Sequence, residues 1–467
     1  MTEKAEGKFL LQLKQQFAGK NPVLLDTTKV YHELDQLAFD LGLIDMDDSV
    51  ACKTSWWPLI TILGGSTSGK SAFINEFFKK NFITDGIDDG SASFTALFHS
   101  DNEQVVTLPG TAVDSDPRFP FYHISNQIEQ VAPGEGQFIN NYLELKTSNC
   151  KSLDGKIIVS GPGLGTGTNK EVVPFLTRHL AEISDLVLVF FDADQKDLEE
   201  YRDALTDFIS SSAGSSNPGK FAYIINRSHS SSSSVDLDDW KNRLASFGLQ
   251  SGQFFIFEPA QQSVGFMSSA AGNRQNGLGQ NSDRSTIGLK INHVTIDSAY
   301  RIVNSLERNI RDLNDVVLKE VKEGIRVWKY RSHFTLTLIL SGFVVLLLLG
   351  EVNMGLLTML FDPIIGPAVL LVLIVIMVPV YIFTSKQIAK WIKKDLDKRQ
   401  KELGLIENLS ALFQKDLTFW RILLPVKEPV GWSKEVQLRY QNLLDRPREL
   451  VQSLNDNFST IGDKIGL

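Results

Sequence analysis

The segment from Gly64 to Ser71 constrains this 467-residue chain more than any other feature. It reads Gly-Gly-Ser-Thr-Ser-Gly-Lys-Ser and fits the pattern G-x-x-x-x-G-K-[ST]. The apolar run Leu59–Leu63 precedes it and the apolar stretch Ala72–Phe78 follows it, which predicts a strand before the loop and a helix after it. Glycines let backbone N–H groups turn towards phosphate oxygens, and the helix N-terminus adds partial positive charge. The segment therefore predicts a phosphate-binding loop in an α/β domain.

Within this loop, each position has an expected role towards a bound nucleotide. Lys70 is expected to reach the terminal phosphates of ATP or GTP, and Ser71 to offer its hydroxyl to Mg²⁺ when a nucleotide is bound. The residues predicted to contact the nucleotide here are Gly64, Gly65, Ser66, Thr67, Ser68, Gly69, Lys70 and Ser71.

Short apolar runs alternate with helical stretches between residues 55 and 260, and this alternation predicts an α/β nucleotide-binding domain. The predicted strands are Leu59–Leu63, Ser93–Phe98, Lys156–Val159, Leu186–Phe191, Phe221–Ile225 and Phe254–Phe257. Residues 261–292 are rich in Gln, Ser, Gly and Asn, so they are predicted to form a flexible linker.

Other positions that support hydrolysis in P-loop proteins are altered. The strand Lys156–Val159 runs into Ser160-Gly161-Pro162-Gly163, which is a D-x-P-G pattern without its aspartate. Ser160 could hydrogen-bond a metal-bound water but supplies no charge, and Asp192 after the next strand could replace that charge. Gly163 is expected beside the nucleotide.

Base selectivity is left open between ATP and GTP. Guanine recognition usually needs [NT]-K-x-D after a later strand, since an aspartate accepts hydrogen bonds from the base edge. Here Asn226 is present and is predicted to contact the nucleotide, but His229 stands at the aspartate position.

Two apolar stretches, from His333 to Gly350 and from Ile364 to Thr384, predict a transmembrane hairpin over residues 333–384. Buried helices of a soluble bundle are the alternative. Lysines and arginines flank both stretches, whereas residues 351–363 contain none, which places both termini and the nucleotide domain in the cytoplasm. Trp328, Tyr330 and Trp391 stand where interfacial aromatics are expected. The protein is thus predicted to be integral to a membrane, the inner membrane in a bacterium, with lipids as partners.

The remaining segments are predicted to be helical. They comprise an N-terminal segment 1–54, a stalk helix 293–332 and C-terminal stalk helices 385–467. Lys386, Lys390, Lys394 and Lys398 share one helical face, which could contact anionic lipid or simply flank the spanning helix. The net charge of −8 argues against a nucleic-acid partner, and two distant cysteines, Cys52 and Cys150, favour a reducing compartment.

Together with the loop, several sequence segments resemble the EHD (EH-domain-containing) branch of the dynamin superfamily over roughly residues 55–260. These segments are Phe94–Asp101, Val105–Pro120, Gly161–Gly163 and Ser184–Leu198. The resemblance implies a nucleotide-dependent, dimerising G-like domain on a helical stalk whose tip contacts membrane. No EH-like domain follows in this sequence, and the hairpin would occupy the tip. The family's switch threonine is replaced here, so Ser91 or Thr95 would have to act in its place.

Three functions remain open from the sequence. The first is a membrane-anchored scaffold that self-associates through its nucleotide domain, with slow or lost hydrolysis. The second is an active ATPase or GTPase that remodels membranes, in which Ser91 or Thr95, together with Asp192, replaces the missing catalytic groups. The third is a structural subunit of a membrane complex whose nucleotide pocket stays empty.

Overall fold

A computed structural model describes residues 4, 6–65, 68–83, 93–163, 171–192, 218–226, 241–242, 245, 253–257, 277–354 and 365–465. The chain forms two compact units. One comprises Cys52–Ile302, and the other combines Met1–Ala51 with Val303–Leu467. The first unit is a mixed α/β domain, and the second is helical. The α/β unit thus extends about 40 residues past the predicted boundary at residue 260.

An eight-stranded sheet organises the α/β unit. Its strands are β1 Leu59–Gly64, β2 Phe94–His99, β3 Val106–Pro109, β4 Leu143–Ser148, β5 Ile157–Gly163, β6 Leu186–Asp192, β7 Phe221–Asn226 and β8 Gln253–Phe257. The spatial order is β3-β4-β2-β5-β1-β6-β7-β8. Strand β1 pairs in parallel with β5 and β6, whereas β2 runs antiparallel to β5 and β3 antiparallel to β4. All six predicted strands are present, and β3 and β4 are additional.

Helices cover the sheet, and they include the first half of a long helix that the sequence did not indicate. The helices of this unit whose bounds are described are α3 Lys70–Phe78, α4 Thr111–Asp114, α5 Ile124–Val131, α6 Val172–Ile183 and the start of α7 Gly277–Asp312. Ile287, Ile291 and Val294 of α7 are buried with Phe73 and Ile60 in the core of the sheet domain. The predicted flexible linker is therefore wrong over residues 277–292, where an apolar residue every three or four positions packs onto the domain. Residues 261–276 lie outside the described part.

A buried ion pair connects α7 to the amino ends of the central strands. The guanidinium of Arg301 donates to both carboxylate oxygens of Asp185, at 2.6 and 3.0 Å, and to the carbonyls of Ser55 and Trp57. Asp185 also accepts from the Leu59 amide at 2.8 Å. One carboxylate therefore ties α7 to the start of β1.

The helical unit consists of segments from both ends of the chain. Its helices are α1 Lys8–Phe17, α2 Pro22–Leu41, a π-helical turn Leu313–Leu318, α8 Lys319–Met354, α9 Ile365–Glu402, α10 Leu409–Lys415, α11 Phe419–Leu423 and α12 Lys434–Ile465. Asn21 caps α2 by accepting from the Leu24 amide, and Gly42 ends it at φ 78°. The predicted helical character of the flanking segments is thus present.

Helices α8 and α9 run antiparallel and pack closely at their middle. The Ser332 and Ser385 hydroxyls lie 3.1 Å apart, and the Trp328 indole donates to the Ser385 carbonyl at 3.0 Å. Trp328 is buried and packs edge-on against Phe413. The prediction that Trp328 is an interfacial aromatic is therefore wrong, since the side chain faces the neighbouring helices; Tyr330 and Trp391 are exposed.

Beyond this packed region, α8 and α9 carry exposed large apolar side chains. They are Phe334, Leu338, Leu340, Val344, Val345, Leu348 and Leu349 on α8, and Leu371, Val372, Ile374, Val375, Ile376, Val380 and Phe383 on α9. We call these residues the apolar tip. Among the described residues, no helix meets the length and hydropathy required of a membrane-spanning segment, so the predicted transmembrane hairpin is not found there. Its connection, residues 355–364, lies outside the described part.

Candidate nucleotide-binding site

The predicted phosphate-binding loop leaves the carboxyl end of β1 and enters α3 at Lys70. Gly69 adopts φ 83°, a left-handed conformation that favours glycine. A Cβ atom at Gly69 would lie 2.0 Å from Nδ2 of Asn226, and one at Gly64 would lie 2.4 Å from the Phe190 carbonyl oxygen. A side chain at either glycine would therefore meet a neighbouring strand, and the described part of the loop, Gly64, Gly65, Ser68 and Gly69, forms a narrow backbone cradle.

Lys70 is held inside this cradle. Its side chain is only 7% exposed, and its Nζ donates to the carbonyl oxygens of Gly64 at 2.9 Å and Gly65 at 2.5 Å. The Ser68 hydroxyl donates to the same Gly65 carbonyl at 2.7 Å. These carbonyl bonds keep the ammonium over the loop, and phosphate oxygens binding there would take their place as charge-assisted acceptors.

Two further predicted contacts lie at the same edge of the sheet. Gly163 is in register with Gly64 across the β5–β1 pair. Asn226 ends β7, is 1% exposed and packs against Gly69. Asp192, at the end of β6, is in register with Asn226. Because parallel strands bring their carboxyl ends together, one edge gathers the loop, Gly163, Asp192 and Asn226.

The predicted catalytic residues are placed less favourably. Thr95 lies inside β2, in register with Ser160 on β5, and both are buried. The Thr95 hydroxyl donates to Oε1 of Glu144 at 2.6 Å, and the same oxygen lies 3.2 Å from Nζ of Lys146. The Thr95 hydroxyl is thus engaged within the sheet. Ser66, Thr67 and Ser91 lie outside the described residues.

Sequence reasoning missed Glu144 and Lys146, together with the strand that carries them. A signal was present, because Leu143 and Leu145 alternate with the two charged residues in β4. That alternation has the period of two expected for a strand with one face on the core.

Ser71, the predicted metal ligand, is the second residue of α3. No group of three or more His, Cys, Asp or Glu residues in the described part of the chain is arranged to hold a metal ion. Magnesium in nucleotide sites is usually bound through one or two carboxylates together with phosphate oxygens. The described residues fit a nucleotide phosphate better than they fit a metal on its own.

No protein-family model matches this sequence. Two solved structures of an oligomerised bacterial dynamin pair, described as providing a mechanism for the long-range sensing and tethering of membranes, align with 98% of this chain. The first is 14% identical, is covered over 75% of its own length and has a TM-score of 0.33. The second is 10% identical, is covered over 96% and has a TM-score of 0.31. Similarity this low does not show that this chain shares their role.

Proposed function

We propose that this chain binds ATP or GTP at the Gly64–Ser71 loop and acts as a dynamin-like, membrane-anchored scaffold. Nucleotide occupancy would promote pairing of its nucleotide domains, so that the chain self-associates and organises or remodels the bilayer. The observation that carries the proposal is the placement of Lys70, buried in a glycine cradle that packs on Asn226. A buried ammonium surrounded by backbone is suited to grip a polyphosphate.

Slow or lost hydrolysis is part of this proposal. Ser160 supplies no charge at the position where an aspartate usually supports magnesium, and the Thr95 hydroxyl already donates to Glu144. With Ser71 and phosphate oxygens as its ligands, a magnesium ion would be held weakly. Nucleotide binding would then regulate assembly rather than supply energy through hydrolysis.

Membrane attachment is proposed through the apolar tip. Fourteen large apolar side chains in the described parts of α8 and α9 are exposed there, which is far more than a water-soluble surface usually gathers in one place. We propose that this tip enters the bilayer from the cytoplasmic side, with both termini and the nucleotide domain remaining in the cytoplasm. In a bacterial cell the membrane would be the inner membrane.

Two alternatives have specific observations in their favour. Asp192 places a carboxylate at the same sheet edge as the loop, which favours an active ATPase or GTPase that remodels membranes. The Lys70 bonds to the Gly64 and Gly65 carbonyls satisfy the ammonium within its own loop, which favours a structural subunit with an empty pocket.

The deciding experiment measures binding of ATP, GTP and their diphosphates, with magnesium, to the purified full-length protein. Lys70→Ala should weaken binding tenfold or more, roughly the loss of one or two charge-assisted hydrogen bonds. Lys79→Asn removes an exposed lysine at the end of the same helix, at φ 52°, which asparagine tolerates, and should leave binding unchanged.

Turnover and association are followed on the same samples. We expect slow hydrolysis, and sedimentation that shows larger assemblies of the wild type only when nucleotide is bound. No binding and no thermal stabilisation by any nucleotide would establish the empty-pocket alternative. Rapid, assembly-stimulated hydrolysis would establish the mechanoenzyme.

A further inference from the structure

The short helix α11 presents an exposed aromatic surface that the proposed function does not use. Phe419, Trp420 and Leu424 lie within six residues and are all exposed, Trp420 to 69%. The Phe419 and Trp420 rings contact each other edge-on, with centroids 5.4 Å apart. We call these three residues the α11 patch. Three large apolar side chains on so short a segment form a compact hydrophobic surface with a polar indole N–H at its edge.

The backbone of α11 is held at one level of the α8–α9 pair. Nζ of Lys329 donates to the carbonyl oxygens of Ile422 at 2.8 Å and Leu424 at 2.9 Å, and also to that of Arg421. The Tyr381 hydroxyl of α9 donates to the Ile422 carbonyl at 3.4 Å. The patch therefore lies beside residue 329 of α8 and residue 381 of α9.

This level is where the surface of the two helices changes. On α8, Ile325 and Trp328 are buried, whereas Phe334 and Leu338 are exposed. On α9, the exposed apolar residues of the tip end at Phe383. If the apolar tip lies in hydrocarbon, the lipid headgroups must lie at this change, which is where the patch is held.

A buried charge pair fixes α11 from its other side. Asp416, just before the helix, is fully buried and accepts from Arg421 at 2.5 Å and from the Val430 amide at 3.1 Å. Together with the Lys329 bonds, these contacts hold the α11 backbone at both ends. Phe419 and Trp420 are thus directed outward by a rigid support, without the entropic cost of ordering a loose segment.

The charges around the patch match an anionic surface. No aspartate or glutamate occurs between residues 324 and 350 of α8 or between 365 and 394 of α9. The exposed basic residues of these ranges nearest to Lys329 and Tyr381 are Arg326, Arg331 and Lys386, whereas Lys390, Lys393 and Lys394 lie farther from the tip. Each exposed lysine or arginine near an anionic leaflet contributes about 1 kcal/mol of attraction. Aromatic rings with a polar edge are enriched at this depth of a bilayer.

We infer that the α11 patch is a second membrane contact, which rests in the headgroup region of an anionic phospholipid bilayer beside the inserted tip. The inference rests on the proposed insertion of α8 and α9. It adds a contact that comes from a segment distant in sequence, and that contact sets how deeply the tip enters and how the helical unit is oriented on the membrane.

The test uses the full-length protein, reconstituted in vesicles that contain phosphatidylglycerol, and measures the depth of Trp420. Lipids brominated near the headgroup or deep in the acyl chain quench indole fluorescence at those depths. The difference between the wild type and Trp420→Phe isolates the Trp420 signal. We expect shallow bromines to quench this signal more strongly than deep ones, and aqueous iodide to quench it less in vesicles than in water.

Trp391 provides the matched control. It is 70% exposed, close to the value for Trp420. It lies six residues past Ser385 on α9, which places it roughly 9 Å farther from the tip than Ser385 is. It borders a cavity of about 320 Å³ whose lining includes the carboxylates of Glu320, Glu323 and Asp395 and the guanidinium groups of Arg331 and Arg399. The fluorescence of Trp391, taken as the difference between the wild type and Trp391→Phe, should be quenched by iodide in vesicles as it is in water. Neither brominated lipid should quench it.

The outcomes separate the two proposals. If the protein does not float with vesicles, the proposed insertion fails and this inference fails with it. If the protein floats but Trp420 stays open to iodide, this inference alone is overturned. Shielding of Trp420 without quenching by brominated lipid also overturns it, since a second copy or another protein then covers the patch.

Discussion

At the scale of single residues, Gly69 is the position on which the phosphate loop most directly depends. Replacing Gly69 with alanine combines a left-handed backbone with a Cβ atom 2.0 Å from the Asn226 amide nitrogen. We expect Gly69→Ala to abolish nucleotide binding and to destabilise the α/β unit by clearly more than the ~1 kcal/mol that a left-handed alanine costs. Hydrogen exchange of the β1 amides measures the change in stability.

Gly155 offers the matched control for this substitution. It has φ 70° in the same unit, and a Cβ atom added there would meet nothing within 4 Å. Gly155→Ala should therefore cost only the backbone term of about 1 kcal/mol and leave nucleotide binding intact. If Gly69→Ala and Gly155→Ala lower the free energy of unfolding equally, Asn226 does not restrict the space at Gly69.

Asp416 makes the stability of the helical unit depend on pH. Burial raises the pKa of this carboxyl to about 6, although Arg421, the Val430 amide and Lys329 oppose the shift. The unfolded pKa is about 3.9, so between these values the folded state binds more protons than the unfolded state. The stabilisation from this group is therefore complete below about pH 4 and is lost as the pH rises through 6.

Asp416→Asn should remove that dependence. The free energy of unfolding of the wild type, relative to the variant, should fall by on the order of 2–3 kcal/mol between pH 4 and 7. Denaturant unfolding of the protein in detergent micelles measures it. Asp445→Asn, at an exposed position on α12, is the control and should keep the wild-type pH profile. A wild-type profile in Asp416→Asn as well would contradict the assignment.

At the scale of elements, the α/β unit depends on the attachment of α7 to the sheet. Arg301→Ala would leave the Asp185 carboxylate buried without its bidentate partner, which typically costs 3–5 kcal/mol. Arg284 also connects α7 to the domain, through Glu76 at 2.6 Å, but this pair is more exposed. Arg284→Ala should therefore cost less than about 1 kcal/mol. Urea unfolding followed by hydrogen exchange of β1 and β6 distinguishes the two.

Secondary structure was predictable wherever apolar residues clustered without interruption. The six predicted strands contain nearly continuous apolar runs, which are visible in the sequence both for a central strand such as β1 and for the edge strand β8. Strands β3 and β4 were missed because β3 is short and mostly exposed, and β4 alternates Leu143 and Leu145 with charged residues. The helical start of α7 was missed because its composition is polar and only Ile287, Ile291 and Val294 face the core.

At the scale of the whole molecule, the apolar tip predicts how the protein partitions between water and membrane. Leu338→Lys combined with Ile374→Lys places two ammonium groups on the tip, each costing about 2.5–3.5 kcal/mol if the tip lies in the hydrocarbon centre as proposed. We expect the double variant to lose flotation with vesicles after a carbonate wash, whereas the wild type retains it.

The control for this prediction changes side chains of equal exposure elsewhere. Leu438 on α12 is 61% exposed, as Leu338 is, and Leu289 on α7 is 59% exposed against 58% for Ile374. Leu438→Lys combined with Leu289→Lys should float like the wild type. If both double variants float equally, the tip does not enter the bilayer.

The sequence by itself determined the phosphate loop, the central strands and the apolar segments, because each consists of consecutive residues whose type and spacing indicate the local backbone geometry. Only the tertiary structure decided which distant residues meet. It placed Asn226 on Gly69, Glu144 on the Thr95 hydroxyl, and Lys329 under α11. These contacts join positions 49 to 157 residues apart along the chain, so they depend on sheet order and helix packing, which no local pattern of residues encodes.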